Sequence, residues 1–136
     1  MARRSTPASE ADTVPPALHE FELAVMEQLW RGGEATVRSV MDELNRREQK
    51  ERAYTTYMTT MARLHKKGLL LRRREGKTDF YAPAYPRDEY MAMRARAEVD
   101  EVISRYGDVA LSHFAEQMAE LDPERRRALQ RLARRH

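Results

Sequence analysis

The run from Ala53 to Gly68, Ala-Tyr-Thr-Thr-Tyr-Met-Thr-Thr-Met-Ala-Arg-Leu-His-Lys-Lys-Gly, holds the side chains best placed to do chemistry in this chain. Wound as an α-helix at about 100° per residue, it puts Tyr54, Tyr57, Met58, Met61, Leu64 and His65 on one side and Thr55, Thr56, Thr59, Thr60, Arg63, Lys66 and Lys67 on the other. Four threonines within six residues are a poor choice for helix stability, because a β-branched side chain loses rotamer freedom against the preceding turn. They suit another task. A hydroxyl can donate to or accept from a base edge or a phosphate, a threonine methyl can touch a thymine methyl, and the cations that follow can neutralise phosphates. The polar face predicts a DNA recognition helix.

The charge distribution agrees. Between Arg46 and Thr78 there are eleven Lys/Arg against three acids, a local excess of +8 in a chain whose formal net charge is only +3. A positive patch centred on the threonine helix is the footprint of a protein that holds a phosphate backbone. A merely solvated surface would account for the number of charges but not for their clustering. Catalytic groupings are missing: His19, His65, His113 and His136 lie far apart, and there is no phosphate-cradling glycine motif and no nucleophile elbow. No enzyme activity, cofactor or metal site is expected. The chain has no cysteine, which excludes disulfides and thiolate metal sites, and no run of about 18 apolar residues that would span a membrane. Residues 1–17, with Arg3, Arg4, Pro7, Pro15 and Pro16 and no apolar h-region, are expected to be a disordered tail and not a signal peptide, which places the protein in the cytoplasm.

The elements that must position the threonine helix are legible around it. Leu18, Phe21, Val25, Met26 and Leu29 recur at helical spacing, with Trp30 toward the core, until Gly32-Gly33 ends the helix. Glu34-Ala35 reads as a short strand, Thr36 as an N-cap, and Val37, Val40, Met41 and Leu44 as the apolar stripe of a second helix reaching about Arg47. Arg46 to Arg52 is charged enough for a solvated turn. Gly68 closes the third helix. Leu69 to Arg74 and Thr78 to Pro83 then flank Glu75-Gly76-Lys77, which describes a β-hairpin. Three helices and a hairpin, the third helix polar and basic, are the order of a winged helix-turn-helix, here residues 18–85, in which helix three enters the major groove and the wing lies along the backbone. Arg52 and Tyr54 at the start of that helix and Arg72, Arg74 and Lys77 on the wing join the threonine face as expected DNA contacts. A sheet edge protected by charge is the competing reading of the wing arginines.

Residues 86–136 are helical in pattern and poor in core. Arg87 to Tyr106 carries Val102, Ile103 and Tyr106 toward one face before Gly107-Asp108 breaks it; Leu111, Phe114, Met118 and Leu121 follow at three- and four-residue steps. Asp122-Pro123 starts a last helix with Leu129 and Leu132 among arginines. About fifty such polar residues do not promise a core of their own. A second copy of the chain is the simplest partner for these faces, and two-fold symmetry would match an inverted repeat. The fold class expected is therefore mainly α with a small β-hairpin, a winged helix-turn-helix followed by a helical dimerisation region.

Leu18-His19-Glu20-Phe21-Glu22-Leu23-Ala24-Val25-Met26 with Leu29-Trp30, then Thr36-Val37-Arg38, then Ala53 to Leu64 and Lys66-Lys67-Gly68-Leu69, carry a resemblance to the penicillinase-repressor and methicillin-resistance-repressor family of bacterial winged-helix regulators. The resemblance implies an antibiotic-response type of regulator: a dimeric repressor on an operator dyad, with Thr56 and Thr59 at the base-reading places, Thr55 beside them and Arg63 on a phosphate. It also implies an inactivating protease that cuts an Asn-Phe bond in the dimerisation region. The corresponding place here is His113-Phe114, which keeps the Phe and not the Asn. The copper-responsive relatives use cysteines, and this chain has none. A winged-helix module that binds protein and reads no bases is the competing functional reading; at most it would associate weakly with DNA, in a manner erased by salt.

Overall fold

A computed structural model of the chain describes residues 14–135. In chain order they form helices α1 (Glu20–Gly32), α2 (Val37–Glu48) and α3 (Tyr54–Lys66), strands β1 (Leu70–Glu75) and β2 (Thr78–Pro83), and helices α4 (Arg87–Tyr106), α5 (Asp108–Ala119) and α6 (Pro123–Arg135). The fold is mainly helical with one antiparallel hairpin, as the spacing predicts. Two compact units divide within α4, the first ending at Ala95 and the second beginning at Arg96. No described helix is long and apolar enough to cross a membrane.

Local signals set most element ends in the first unit. Glu22, in the first turn of α1, reaches back so that the His19 N–H donates to its Oε1 at 3.0 Å, which satisfies a donor the helix leaves open. Gly33, at φ +85°, ends that helix. Thr36 caps α2 by accepting from the Ser39 N–H at 3.1 Å. Ala35 pairs with Tyr81 as an isolated antiparallel bridge, so the expected short strand exists as a single rung beside the hairpin. Gly76, at φ +64°, begins the two-residue turn between Glu75 and Thr78. The core runs through all of these elements: Val25, Met26 and Leu29 from α1, Val40 and Leu44 from α2, Tyr57, Met61 and Leu64 from α3, with Leu69, Leu70 and Tyr81 from the wing.

The first turns of α4 pack in this same unit. Tyr90 is buried, lies 5.6 Å from the Trp30 ring, and donates its hydroxyl to the Pro16 carbonyl at 2.7 Å. Arg94 donates to the Pro15 carbonyl at 3.1 Å. Of the tail expected to be disordered, residues 1–13 lie outside the described residues, while Pro15 and Pro16 are held by these two hydrogen bonds. Trp30 itself is half-buried, its Nε1–H donating to the Tyr85 carbonyl at 2.9 Å.

The second unit is built differently. Gly107, at φ +61°, separates α4 from α5. The Asp122 side chain accepts from the Arg125 N–H at 2.8 Å, and Pro123 opens α6. The Arg126 guanidinium donates to the carbonyls of Met118, Ala119 and Leu121, closing the C-terminal end of α5. Ala110 is the one buried residue among those described in this unit, and Val102, Tyr106, Leu111, Phe114 and Leu132 are exposed.

Candidate nucleic-acid interface

Packing, not propensity, makes α3 a helix. Its N-cap is Ala53, which offers no side chain to the open N–H groups. Asn45 of α2 holds the entry instead: its Oδ1 accepts from the Arg52 N–H at 3.2 Å and the Tyr57 hydroxyl at 2.7 Å, and its Nδ2 donates to the Arg52 carbonyl at 3.0 Å. Burial pushes the Tyr57 hydroxyl pKa up, so the group stays protonated and keeps donating. The Tyr57 ring meets Phe21 edge-on at 5.1 Å, and the Arg52 guanidinium lies 4.4 Å over that same Phe21. At the exit, Gly68 adopts φ +84°, its N–H donates to the His65 carbonyl and the Leu69 N–H to the Leu64 carbonyl. This is the paired closure that a left-handed glycine permits, with Leu64 and Leu69 both buried in the core.

The buried side of α3 is Tyr57, Thr60, Met61 and Leu64. The side facing away therefore centres on Thr55 and Thr59, with Lys66 below them, Thr56 and Arg63 on one flank, and Tyr54 and Met58 on the other. Thr55, Thr56, Thr59, Thr60 and Arg63 together line one open concavity of about 380 Å³. Three expectations from the sequence need correction here. Thr60 is only 5 % exposed and forms the floor of that concavity, because its position on the wheel falls beside Leu64. Tyr54 and Met58, expected to pack inward, are 41 % and 44 % exposed. His65 is half-buried with its ring edge-on to Tyr81 at 6.5 Å, in keeping with a packing role.

Ion pairing sorts the basic window. Arg46 and Arg47 pair with Glu43, the latter at 3.1 Å, and Arg52 pairs with Glu48 at 2.6 Å, the last residue of α2, which ends one residue beyond the expected Arg47. Lys67, read as a phosphate contact, instead donates to Glu22 Oε2 at 2.9 Å. Burial pushes the Glu22 carboxyl up, but the His19 N–H and the Lys67 ammonium outweigh it and hold the group below its ordinary range. On the wing, Arg73 makes a two-pronged contact with Glu34, a further one with Glu75, and lies 4.6 Å over Phe80; the Glu34 and Glu75 carboxylates raise its pKa. Arg74 pairs with Asp79 at 2.9 Å, and this bond lowers the Asp79 pKa. Arg73 and Arg74 thus brace the wing.

Lys50, Arg63, Lys66, Arg72 and Lys77 form no hydrogen bond or close ion pair with an acid among the described residues, although Arg72 lies near enough to Asp79 to help lower its pKa, and all five are exposed. Four of them belong to α3 and the wing. Among the described residues no cluster of three His, Cys, Asp or Glu side chains could hold a metal ion. Sequence reasoning passed over Asn45, Glu22 and Arg38. Asn45 follows the apolar stripe of α2 directly, and a short polar side chain there, twelve residues before a buried tyrosine, was the available signal.

In the second unit four of the nine residues expected to pair protomers come together. Phe114, Met118, Leu121 and Leu129 line a groove of about 430 Å³ together with Val99, Gln117 and Arg125. Val102, Tyr106, Leu111 and Leu132 are exposed, and Ile103 is half-buried. His113 and Phe114 sit in the middle of α5, with His113 3.3 Å from Glu116.

Comparison with known proteins gives a consistent picture. The penicillinase repressor family model matches residues 18–135. The chain is 41 % identical over 105 residues to the transcriptional regulator BlaI of two Mycobacterium tuberculosis strains, covering 74 % of this chain and 73 % of BlaI. Among solved structures, the DNA binding domain of the repressor BlaI is 29 % identical, spans 54 % of this chain and 85 % of that domain, and superposes with a TM-score of 0.47. The complex of hsRosR-S4 shares the fold at 15 % identity, over 83 % of this chain and the whole of its own, with a TM-score of 0.52.

Proposed function

We infer that this chain, which belongs to the penicillinase repressor family, is a cytoplasmic transcriptional repressor that binds an inverted-repeat operator as a homodimer. It is a DNA-binding regulator and not an enzyme. The observation that carries the reading is the outward face of α3: Thr55, Thr56 and Thr59 around one concavity, with Arg63 and Lys66 free of acidic partners. Hydroxyls there can meet base edges while the two cations meet the backbone on either side. Arg72 and Lys77 extend the contact along the wing. Arg52, Lys67 and Arg74 are committed within the protein and serve to hold α3 and the wing in place.

Pairing of protomers rests on the second unit, residues 96–136 and the groove around Phe114. With one buried residue among those described, it has the composition of half an interface. The place that corresponds to the family's protease site, His113-Phe114, lies within helical backbone, and a protease acts on extended chain, so α5 would have to open first. Phe114 as a dimer contact fits the geometry better than Phe114 at a cut. The test is a fluorescence anisotropy titration of duplexes recovered from random DNA, beside scrambled duplexes of the same composition, at two salt concentrations. A preference of roughly 10³-fold or more supports a sequence-specific repressor. Equal binding to both duplexes, erased by salt, would mean that the basic helix holds phosphates only.

A further inference from the structure

Tyr54 and Met58 are one turn apart on α3 and both leave more than two-fifths of their surface exposed, on the flank away from Thr56 and Arg63. They form one wall of a cavity of about 320 Å³ whose other walls are Thr36, Val37 and Arg38 at the start of α2 and Lys77 and Thr78 at the wing turn. The lining also holds Asp79, whose carboxylate is engaged by Arg74, and Tyr81. The Arg38 guanidinium lies 5.7 Å over the Tyr54 ring, and neither Arg38 nor Lys77 has an acidic partner among the described residues. An exposed thioether and an exposed aromatic ring contribute little to folding at this position, yet they stand on the outward side of α3 beside Thr55 and Thr59. The cavity thus pairs an apolar wall with two cations at its rim.

We propose that Met58 and Tyr54 read the 5-methyl group of an operator thymine, while Arg38 and Lys77 take the phosphates that flank it. In the major groove the 5-methyl is the apolar mark that distinguishes thymine from every other base. A polarisable, unbranched Met adapts closely to such a group, and the Tyr54 ring, held under Arg38, gives it a rigid second wall. Arg38, outside the threonine face, becomes a further backbone contact. This inference rests on α3 being the base-reading element and adds to it which base feature one flank selects.

Uracil in place of thymine, one position at a time, removes that methyl and leaves the pairing edge and the O4 acceptor in place. The duplex used is the one recovered from random DNA, and the protein is the full chain. Wild type loses about fourfold in affinity at one thymine per half-site, the size expected for one buried methyl. M58A binds the thymine and uracil duplexes equally at that position, whereas M58L, which keeps the apolar wall, retains most of the difference. Because Met58 is exposed, both variants fold, and their circular dichroism is unchanged. If uracil is silent at every position while sequence preference persists, methyl reading is overturned and base reading by the threonines stands. A uracil penalty that survives in both M58A and Y54A also overturns the assignment and gives the methyl to a threonine. Absence of any sequence preference overturns base reading and this inference with it.

Discussion

Lys67 Nζ lies 2.9 Å from Glu22 Oε2, an ion pair that ties the residue capping the C-terminal end of α3 to the first turn of α1. Glu22 is buried, and its other carboxylate oxygen accepts from the His19 N–H, so one side chain fixes the start of α1 and the end of α3 at once. Leaving an acid in the core is costly unless both oxygens are satisfied, and here both are.

The folded-state pKa of Glu22 lies below the ordinary value of 4.5, so its contribution to stability is fully present above that value and fades as pH falls through the folded-state value. E22Q should therefore be less stable than wild type by about 1–3 kcal/mol near neutral pH, the range for a buried charged hydrogen bond. The two proteins should converge only once the pH has fallen below that lowered folded-state value. Urea unfolding along a series of falling pH values measures the gap, and a gap that is constant with pH would show that the carboxylate charge is not what stabilises this corner.

Salt dependence separates cations that meet phosphates from cations that brace the fold. R63A and K66A should each flatten the slope of log affinity against log salt by about 0.9 per lost phosphate contact per protomer. K67A should lower thermal stability while leaving the slope close to wild type, because its ammonium is taken by Glu22. If K67A flattens the slope as much as R63A, the pair opens on DNA and the sequence reading of Lys67 as a phosphate contact is restored.

Much of the fold was legible because it rests on local signals. Gly33, Thr36, Gly68, Gly76 and Asp122-Pro123 each end or start an element through their own backbone or side-chain chemistry, and each does so where the spacing predicts. The site was less legible because a helical wheel assigns sides without knowing where the core's edge falls. Thr60 and Met58 differ by two positions, and the edge of the core falls between them, leaving the first buried and the second exposed. Pairings such as Glu22 with Lys67 or Glu34 with Arg73 join residues 45 and 39 positions apart, and no periodicity reports them.

The threonines can be told apart by one kind of substitution. Thr→Val removes the hydroxyl and keeps the shape. T59V, on the exposed ridge, should lose about 1–3 kcal/mol of discrimination at one base pair per half-site. T60V, on the buried floor, should keep the same sequence preference. Selection from random DNA with each variant reads this out directly. Relaxed preference in T60V with none in T59V would reverse the orientation of the helix face given above.

Asn45 and Tyr57 make a separable pair. N45A leaves the hydroxyl of a fully buried tyrosine without its acceptor, which should cost about 1–3 kcal/mol. Part of that loss should be recovered in the double variant N45A/Y57F, because no donor is then stranded. A double-mutant cycle by chemical denaturation measures the coupling. Strict additivity of the two single changes would mean that Asn45 acts through the Arg52 backbone alone.

A groove lined by Phe114, Met118, Leu121 and Leu129 buries little within one chain, so if it pairs protomers its stabilisation must appear on association. F114E places a charge where the partner's apolar face would sit, and sedimentation should show it as a monomer at concentrations where wild type is a dimer. The first unit has its own core and should stay folded in this variant. Operator affinity should nevertheless fall by at least tenfold, because one recognition helix must then hold the duplex without the other's contacts. A dimeric F114E with unchanged operator affinity would remove this groove from the interface, and the exposed row of Val102, Tyr106 and Leu111 would be the next surface to charge.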